Sequence, residues 1–417
     1  MSVINHLLSV PWFDFDSGKD LRLLYLMQMM RVFVDKYALF FVPIFLFQQG
    51  MSWQGDTPIW LPAWLAGLSG LQLGMVVVAG FYGALRLVML PLLPICAHLL
   101  TTVGNRLTMI VAYGFFALTI ISLNFAQETP RLLFMAILSF AGFEAFVGTS
   151  EKMILASNSL RSRLGKDIGM SQFVIQLANM VAPLMGGAVI VYLGCQTLFM
   201  SSLILVVGLV ITATHLSGRS YRTQLNFKTA APLLSNRDFQ RMMISTLGRY
   251  IVLVSLMLWP IYLFILLGGV DRVGYLYSAS FFMAMLFSLA AGVNIDGQKT
   301  LKPYFRSGGV VASLWVARIF VLNPFTIAFV DALDRLVGNY HWLFFDTLLF
   351  KAGKVRNTLL FFVTREMILS LLAVCLYVVI GLLFIFLIDG WQSLFVLAAV
   401  GVLLSLLLSG KMGYAND

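Results

Sequence analysis

Apolar runs long enough to cross a bilayer recur along the whole chain, and that recurrence leaves few folds open. They fall near residues 22–47, 64–92, 105–123, 132–156, 168–192 and 195–215, then near 242–267, 274–295, 306–322, 325–346, 359–386 and 391–409. A crossing helix takes about 20 apolar residues. In lipid its backbone N–H and C=O groups must find partners inside the segment, which a helix provides alone. Twelve such helices fit into 417 residues with short connections left over. The ninth run is short and carries Arg318, and the tenth carries Asp331, Asp334, Arg335 and His341, so these two are the weakest. Without them ten spans would remain and the ends would still share a side. Composition closes the other classes. With 60% hydrophobic and 11% charged residues, the chain is far from a soluble domain, where about half are apolar and a quarter charged. The expected fold is an all-α polytopic membrane protein of twelve transmembrane helices, numbered here as spans 1 to 12.

Basic residues set the expected orientation, because cytoplasmic loops carry the Lys/Arg excess. Arg161, Arg163 and Lys166 follow span 4, and Arg219, Arg222, Lys228, Arg237 and Arg241 surround the middle stretch. Lys299, Lys302 and Arg306 follow span 8; Lys351, Lys354 and Arg356 follow span 10. The alternate connections hold little beyond Asp56, Glu128 with Arg131, Asp271 with Arg272, and Asp389. Both termini are therefore expected in the cytoplasm, in a multi-pass protein of the plasma membrane (the inner membrane of a bacterium). The net charge of +10 is this loop signature, and no basic run is long enough for a nucleic-acid groove. Asp14, Asp16 and Asp20 with no basic leader argue against a cleaved signal peptide. Cys96, Cys195 and Cys375 are too scattered for a disulfide framework or a metal pair and read as small apolar residues.

The one long polar stretch, Ser217–Gln240, splits the chain into near-equal parts: a bundle over 1–216, a central cytoplasmic loop over 217–241 and a second bundle over 242–417. Span 1 contains VPIFLF from Val42 and span 7 contains WPIYLF from Trp259, each about three turns after an arginine, Arg31 and Arg249. Six spans return the chain to its starting side, so two such halves form a parallel repeat about an axis along the membrane normal.

Two six-span halves, cytoplasmic ends and a basic central loop resemble the major facilitator superfamily (MFS) of secondary transporters. The family's signature between spans 2 and 3 is a Gly, then Asp-Arg, then Gly-Arg-Arg. Here AHLLTTVGNRLTM keeps Gly104 and Arg106 but has Thr101 in place of the Asp. The corresponding loop of the second half keeps Gly292, Asp296 and Lys299. Span 5 offers Pro183, Gly186 and Gly187 for the family's Pro-x-x-Gly-Gly element. The resemblance implies two pseudo-symmetric six-helix bundles, gating by these loop and glycine elements, and a central cavity lined by spans 1, 4, 7 and 10.

Charge inside the membrane is costly and so marks function. Interior acids fall at Asp35 in span 1, Glu144 in span 4, and Asp331 with Asp334 in span 10, and span 7 adds Arg249. These are the spans that the resemblance places around the cavity. Residues three, four and seven apart share a helix face. Gln28, Arg31 and Asp35, with Lys36 at the edge, thus form one stripe; Glu144, Gly148 and Glu151 form another; Asp331, Asp334, Arg335 and Gly338 form a third. Span 5 carries Gln172, Gln176, Asn179, Pro183 and Gly187, read as a helix-packing seam. Arg31 with Asp35, and Asp331 with Arg335, are spaced to neutralise each other within a helix. Arg318, Arg365 and Glu366 lie near span ends and read as snorkelling side chains. Glu144 has no basic residue within four positions, which makes it the carboxyl expected to carry a coupled proton. Arg31, Lys36, Arg249, Asp331, Asp334 and Arg335 complete the coupling and substrate candidates.

The expected function is secondary transport of a small molecule by alternating access, proton-coupled, by a monomer in the lipid bilayer. An uncoupled facilitator and a channel or sensor derived from a transporter stay open beside it. No HExxH, GxSxG or glycine-rich phosphate loop is present, so no enzyme activity, cofactor or catalytic residue is expected. His98 and His341 are isolated and call for no metal.

Overall fold

The computed structural model describes residues 19–55, 58, 62–126, 128–159, 164–221, 235–282, 300–321, 323–353, 358–387 and 390–408. Every regular element among them is helical, and helices answer to all twelve apolar runs. Span 1 is two pieces, Lys19–Tyr37 and Val42–Ser52, joined by a 3₁₀ turn at Leu39–Phe41. Spans 2, 3 and 4 are Gly70–Thr102, Gly104–Phe125 and Leu132–Asn158. Spans 5 and 6 form the run Leu164–Thr214, divided at Gly194, whose φ of 83° is non-helical. Only glycine takes that conformation at little cost. Span 7 is Arg237–Leu267, span 8 is helical over the described residues 270–282, and span 9 is Lys302–Ala317. Spans 10, 11 and 12 are Pro324–Gly353, Thr358–Phe386 and Gly390–Ser405. The two weakest runs, 9 and 10, are thus both helices. Among the described residues six helices are long and apolar enough to cross a membrane by themselves, one of them holding spans 5 and 6.

Local chemistry explains the ends and the break. Ser69 and Gln72 cap span 2 reciprocally, satisfying N–H groups that a helix start leaves open. Span 7 stops at Gly268, left-handed with φ 70°. The break in span 1 precedes Pro43. Proline has no N–H to give to the carbonyl four residues back, and the Val42 N–H instead bonds Leu39 O in the tighter 3₁₀ pattern.

Spans 1, 5 and 6 pack together in the first bundle, as do 3 with 4, 2 with 4, and 3 with 6; in the second, span 12 packs on 7 and 9, and 9 on 10. The bundles meet where span 2 lies along span 11, span 5 along span 10, the second piece of span 1 against span 7, and span 4 against span 11. The face on which span 1 begins and span 12 ends is called the terminal face below.

Candidate functional site

At mid-depth between the bundles lies a cavity of about 390 Å³. The broken part of span 1 supplies Asp35, Lys36, Leu39, Phe40 and Pro43 to its wall. Span 2 adds Tyr82 and Arg86, span 4 adds Phe140 and Glu144, and span 5 adds Gln172, Gln176 and Asn179. From the second bundle come Leu253 and Met257 of span 7, Phe281 of span 8, Arg335 of span 10 and Tyr377 of span 11.

Two ion pairs in this wall differ. Lys36 Nζ is 3.2 Å from Asp35 Oδ2, and both side chains keep about a third of their surface open. Arg86 Nη2 stands 3.9 Å from Glu144 Oε2, beyond hydrogen-bond distance. Arg86 Nη1 donates to the Met89 thioether at 3.3 Å, and its guanidinium lies 5.1 Å over the Tyr250 ring. Glu144 is therefore not the cation-free carboxyl that its own helix indicates. Its partner comes from span 2, a neighbour that spacing within span 4 cannot reveal.

Toward the terminal face the pairs close up. Arg31 does not neutralise Asp35. It grips Glu151 with Nε at 2.8 Å and Nη2 at 3.2 Å, and Gln28 reaches Glu151 at 3.3 Å while accepting from Ser171 at 2.6 Å. The stripes of spans 1 and 4 do face each other, but the partner lies across the interface. Arg249 likewise closes on Asp346 at 2.8 Å and lies 4.8 Å over Trp342, away from the cavity wall. Between the bundles Lys152 of span 4 meets Glu366 of span 11 at 2.5 Å, and Arg365 meets Glu366 at 2.6 Å. Arg365 and Glu366 are buried, so the snorkelling reading fails for both: Lys152 closes on Glu366 and Glu366 holds Arg365.

On the opposite side Arg318 is fully buried, also against the snorkelling reading. Its Nη2 donates to Asp331 at 3.2 Å and Asp334 at 2.9 Å. The Trp315 and Trp259 rings cover it at 3.9 and 4.7 Å. Arg335 pairs with Asp331 at 3.7 Å, as the spacing indicates, and faces the cavity against the Phe281 ring. Asp331 and Asp334 thus sit in a neutral cluster of two acids and two arginines behind the wall. His341 is buried between Ser307 and Ser405. Among the described residues no group of His, Cys, Asp and Glu is arranged to hold a metal.

The same fold occurs in solved structures. The human organic anion transporter MFSD10 (TETRAN) superposes with a TM-score of 0.69 at 12% identity, over 94% of this chain and 100% of that one. A variant of the E. coli fucose:proton symporter FucP gives 0.65 at 10% identity, over 93% and 97%. The chain has the major facilitator fold. No protein-family model and no curated protein matches the sequence.

Within the MFS fold, the elements expected to gate divide. Gly186 lies where a Cβ would strike the Tyr37 carbonyl and, at 2.8 Å, Phe41, so span 5 presses on the break of span 1. Pro183 O lies 2.6 Å from the place of a Gly274 Cβ, and Gly187 faces Asp271. The glycines are a seam, as expected, whereas Gln172, Gln176 and Asn179 on the same helix line the cavity and exceed that reading. In the span 2–3 loop Gly104 has φ 81° and packs on the carbonyls of Gly218 and Arg219. Asn105 N–H bonds Arg219 O, Tyr221 N–H bonds Leu100 O, and Asn105 Nδ2 bonds the Tyr221 hydroxyl at 2.8 Å. Burial pushes the Tyr221 phenol above its ordinary range. The chain after span 6 therefore straps this corner, while Arg106 is exposed. Gly292, Asp296 and Lys299 lie outside the described residues, as do Asp56, Lys228 and Asp389.

The sequence reading missed Arg86, Lys152 and Asp346. Arg86 lies in the middle of a 33-residue apolar helix, and a census of interior cations as well as acids finds it. Lys152 and Asp346 sit nearer helix ends, and only packing shows them enclosed.

Proposed function

We propose that the chain is a secondary transporter of a small solute, working by alternating access with both termini cytoplasmic, and that Glu144 carries a coupled proton. The observation that carries this reading is the cavity itself. It lies between two bundles of the major facilitator fold, at mid-depth, with ionisable side chains from both around it. A site at that place is reached from either face as the halves rock. Glu144 is the acid there with the loosest partner and a partly open side chain, so it can exchange a proton without dismantling a closed pair. Two proteins of the same fold, named as an organic anion transporter and a proton symporter, support this reading. No catalytic group or cofactor enters it.

Counterflow in proteoliposomes tests the carrier. Over a panel of organic anions, cations, sugars and amino acids, one solute should exchange labelled against unlabelled. Saturable conductance without exchange would make the protein a channel. Impermeant thiol reagents test the orientation: a single cysteine at Asp389 should react from outside, and one at Lys228 should not.

A further inference from the structure

We infer that the cavity takes an amphipathic organic monoanion, its charged group against Arg86, and that each anion enters with one proton on Glu144. The inference rests on the carrier reading and supplies its substrate class.

Charge balance carries it. The cluster of Arg318, Arg335, Asp331 and Asp334 is neutral in itself. Four acidic and basic side chains of the wall remain, Asp35, Lys36, Arg86 and Glu144, and with all four charged they too sum to zero. A proton on Glu144 leaves one surplus cation in the cavity wall, and one anion cancels it. An anion without the proton leaves a surplus negative charge. Uncompensated charge between the helices of a membrane bundle is disfavoured, so proton and anion stabilise each other's binding.

Geometry selects the cation. Lys36 is held by Asp35 at 3.2 Å, and Arg335 is tied to Asp331 and pressed on Phe281. Arg86 lies over the Tyr250 ring but has a carboxylate only at 3.9 Å and a thioether, a weak acceptor, on Nη1. A guanidinium stays charged and offers a planar pair of N–H groups that fits a carboxylate. The groups acting on Glu144 are spread over its neighbours. Span 1 presents Asp35 and Arg31, span 2 presents Arg86 and Tyr82, span 7 presents Tyr250, and Lys152 is on its own helix. Arg31 is taken by Glu151 and Lys152 by Glu366, which leaves Arg86 as the cation that Glu144 answers. The body of the ligand meets Phe40, Tyr82, Phe140, Leu253 and Met257, an apolar wall in a cavity of ordinary small-molecule size.

The test is calorimetric titration of the full chain in detergent with benzoate, 2-naphthoate and octanoate, beside their neutral amides and matching amines. A carboxylate should bind, and its affinity should rise as pH is lowered from 8 to 6, with a limiting slope of about tenfold per unit for one proton taken up. Amides and amines should not bind. Glu144→Gln should bind the carboxylate without pH dependence. Arg86→Gln combined with Glu144→Gln, a charge-balanced change, should melt like the parent and bind no carboxylate. Preference for amines or amides, no carboxylate bound, a retained pH slope in Glu144→Gln, or carboxylate binding by the double variant would each overturn the inference. Failure of the carrier reading looks different. Proton-linked carboxylate binding without counterflow would remove the carrier and keep the site, whereas counterflow of a cation or sugar would keep the carrier and remove the anion.

Discussion

Two charged clusters lie inside the membrane, and they are built for opposite ends. Arg318 with Asp331 and Asp334 is sealed: Arg318 and Asp331 have no open surface, the contacts are 2.9 and 3.2 Å, and two tryptophans cover the guanidinium. Arg86 with Glu144 is slack, 3.9 Å apart, with 36% of the Glu144 side chain open. A sealed pair is hard to part, because either member alone would be a stranded buried charge. A slack pair at a cavity can part and re-form as protons and ligands arrive. On the proposed reading, interior charge by itself does not mark function; its distance and enclosure do.

Breaking the sealed cluster should have the largest effect. Arg318→Leu leaves two carboxylates facing one arginine, a cost of about 3–5 kcal/mol, and should abolish folded protein in size-exclusion profiles of detergent extracts. Arg318→Gln with Asp334→Asn keeps the Arg335–Asp331 pair and should recover much of the yield. Yield equal to the parent in Arg318→Leu would show the cluster to be as slack as the cavity pair.

The slack pair should tolerate change in fold but not in coupling. Glu144→Gln mimics the protonated acid at nearly the same size. In proteoliposomes it should exchange solute at any pH yet fail to accumulate it against a gradient. Normal accumulation would take Glu144 out of the mechanism and leave Asp35, beside Lys36, as the acid to test next.

A third cluster falls between these two. Lys152–Glu366 is closed like the sealed one but joins the two bundles. Glu366→Gln should loosen the terminal face, and a cysteine at Asn179 should then react several-fold faster with a thiol reagent applied from that face, about 1 kcal/mol in the gate by the usual conversion. Exchanging the charges, Lys152→Glu with Glu366→Lys, should restore part of the protection.

These three clusters also show how far the sequence is legible. Twelve helices were readable because apolarity at bilayer length is a property of each segment alone. The stripes of spans 1 and 4 were readable for the same reason, since helical spacing is local. Partners were not. Arg31 has Asp35 at four residues yet grips Glu151, 120 positions away, and Arg318 looked like a span end because nothing in its own segment shows Trp259 above it. The repeat was legible through Arg31 and Arg249, and the structure extends it: each grips an acid seven residues before the end of span 4 or span 10.

The smallest effects belong to the strapped corner, where a motif of the fold is incomplete. Thr101 stands where the family places an acid, and its hydroxyl merely bonds the His98 carbonyl at 2.8 Å. Thr101→Asp adds a charge at a partly open position on the terminal face, so it should change the melting free energy by no more than about 0.5 kcal/mol. Gly104, three residues on, differs in kind. Its φ of 81° and the carbonyls of Gly218 and Arg219 leave no room for a Cβ, and left-handed backbone costs a non-glycine residue about 1–2 kcal/mol before any clash. Gly104→Ala should therefore lower the melting temperature and expose the 217–221 strap to limited proteolysis, while Thr101→Asp does neither. If the aspartate variant is instead the more sensitive of the two, this corner is held by its charges rather than by backbone packing, and the strap is incidental.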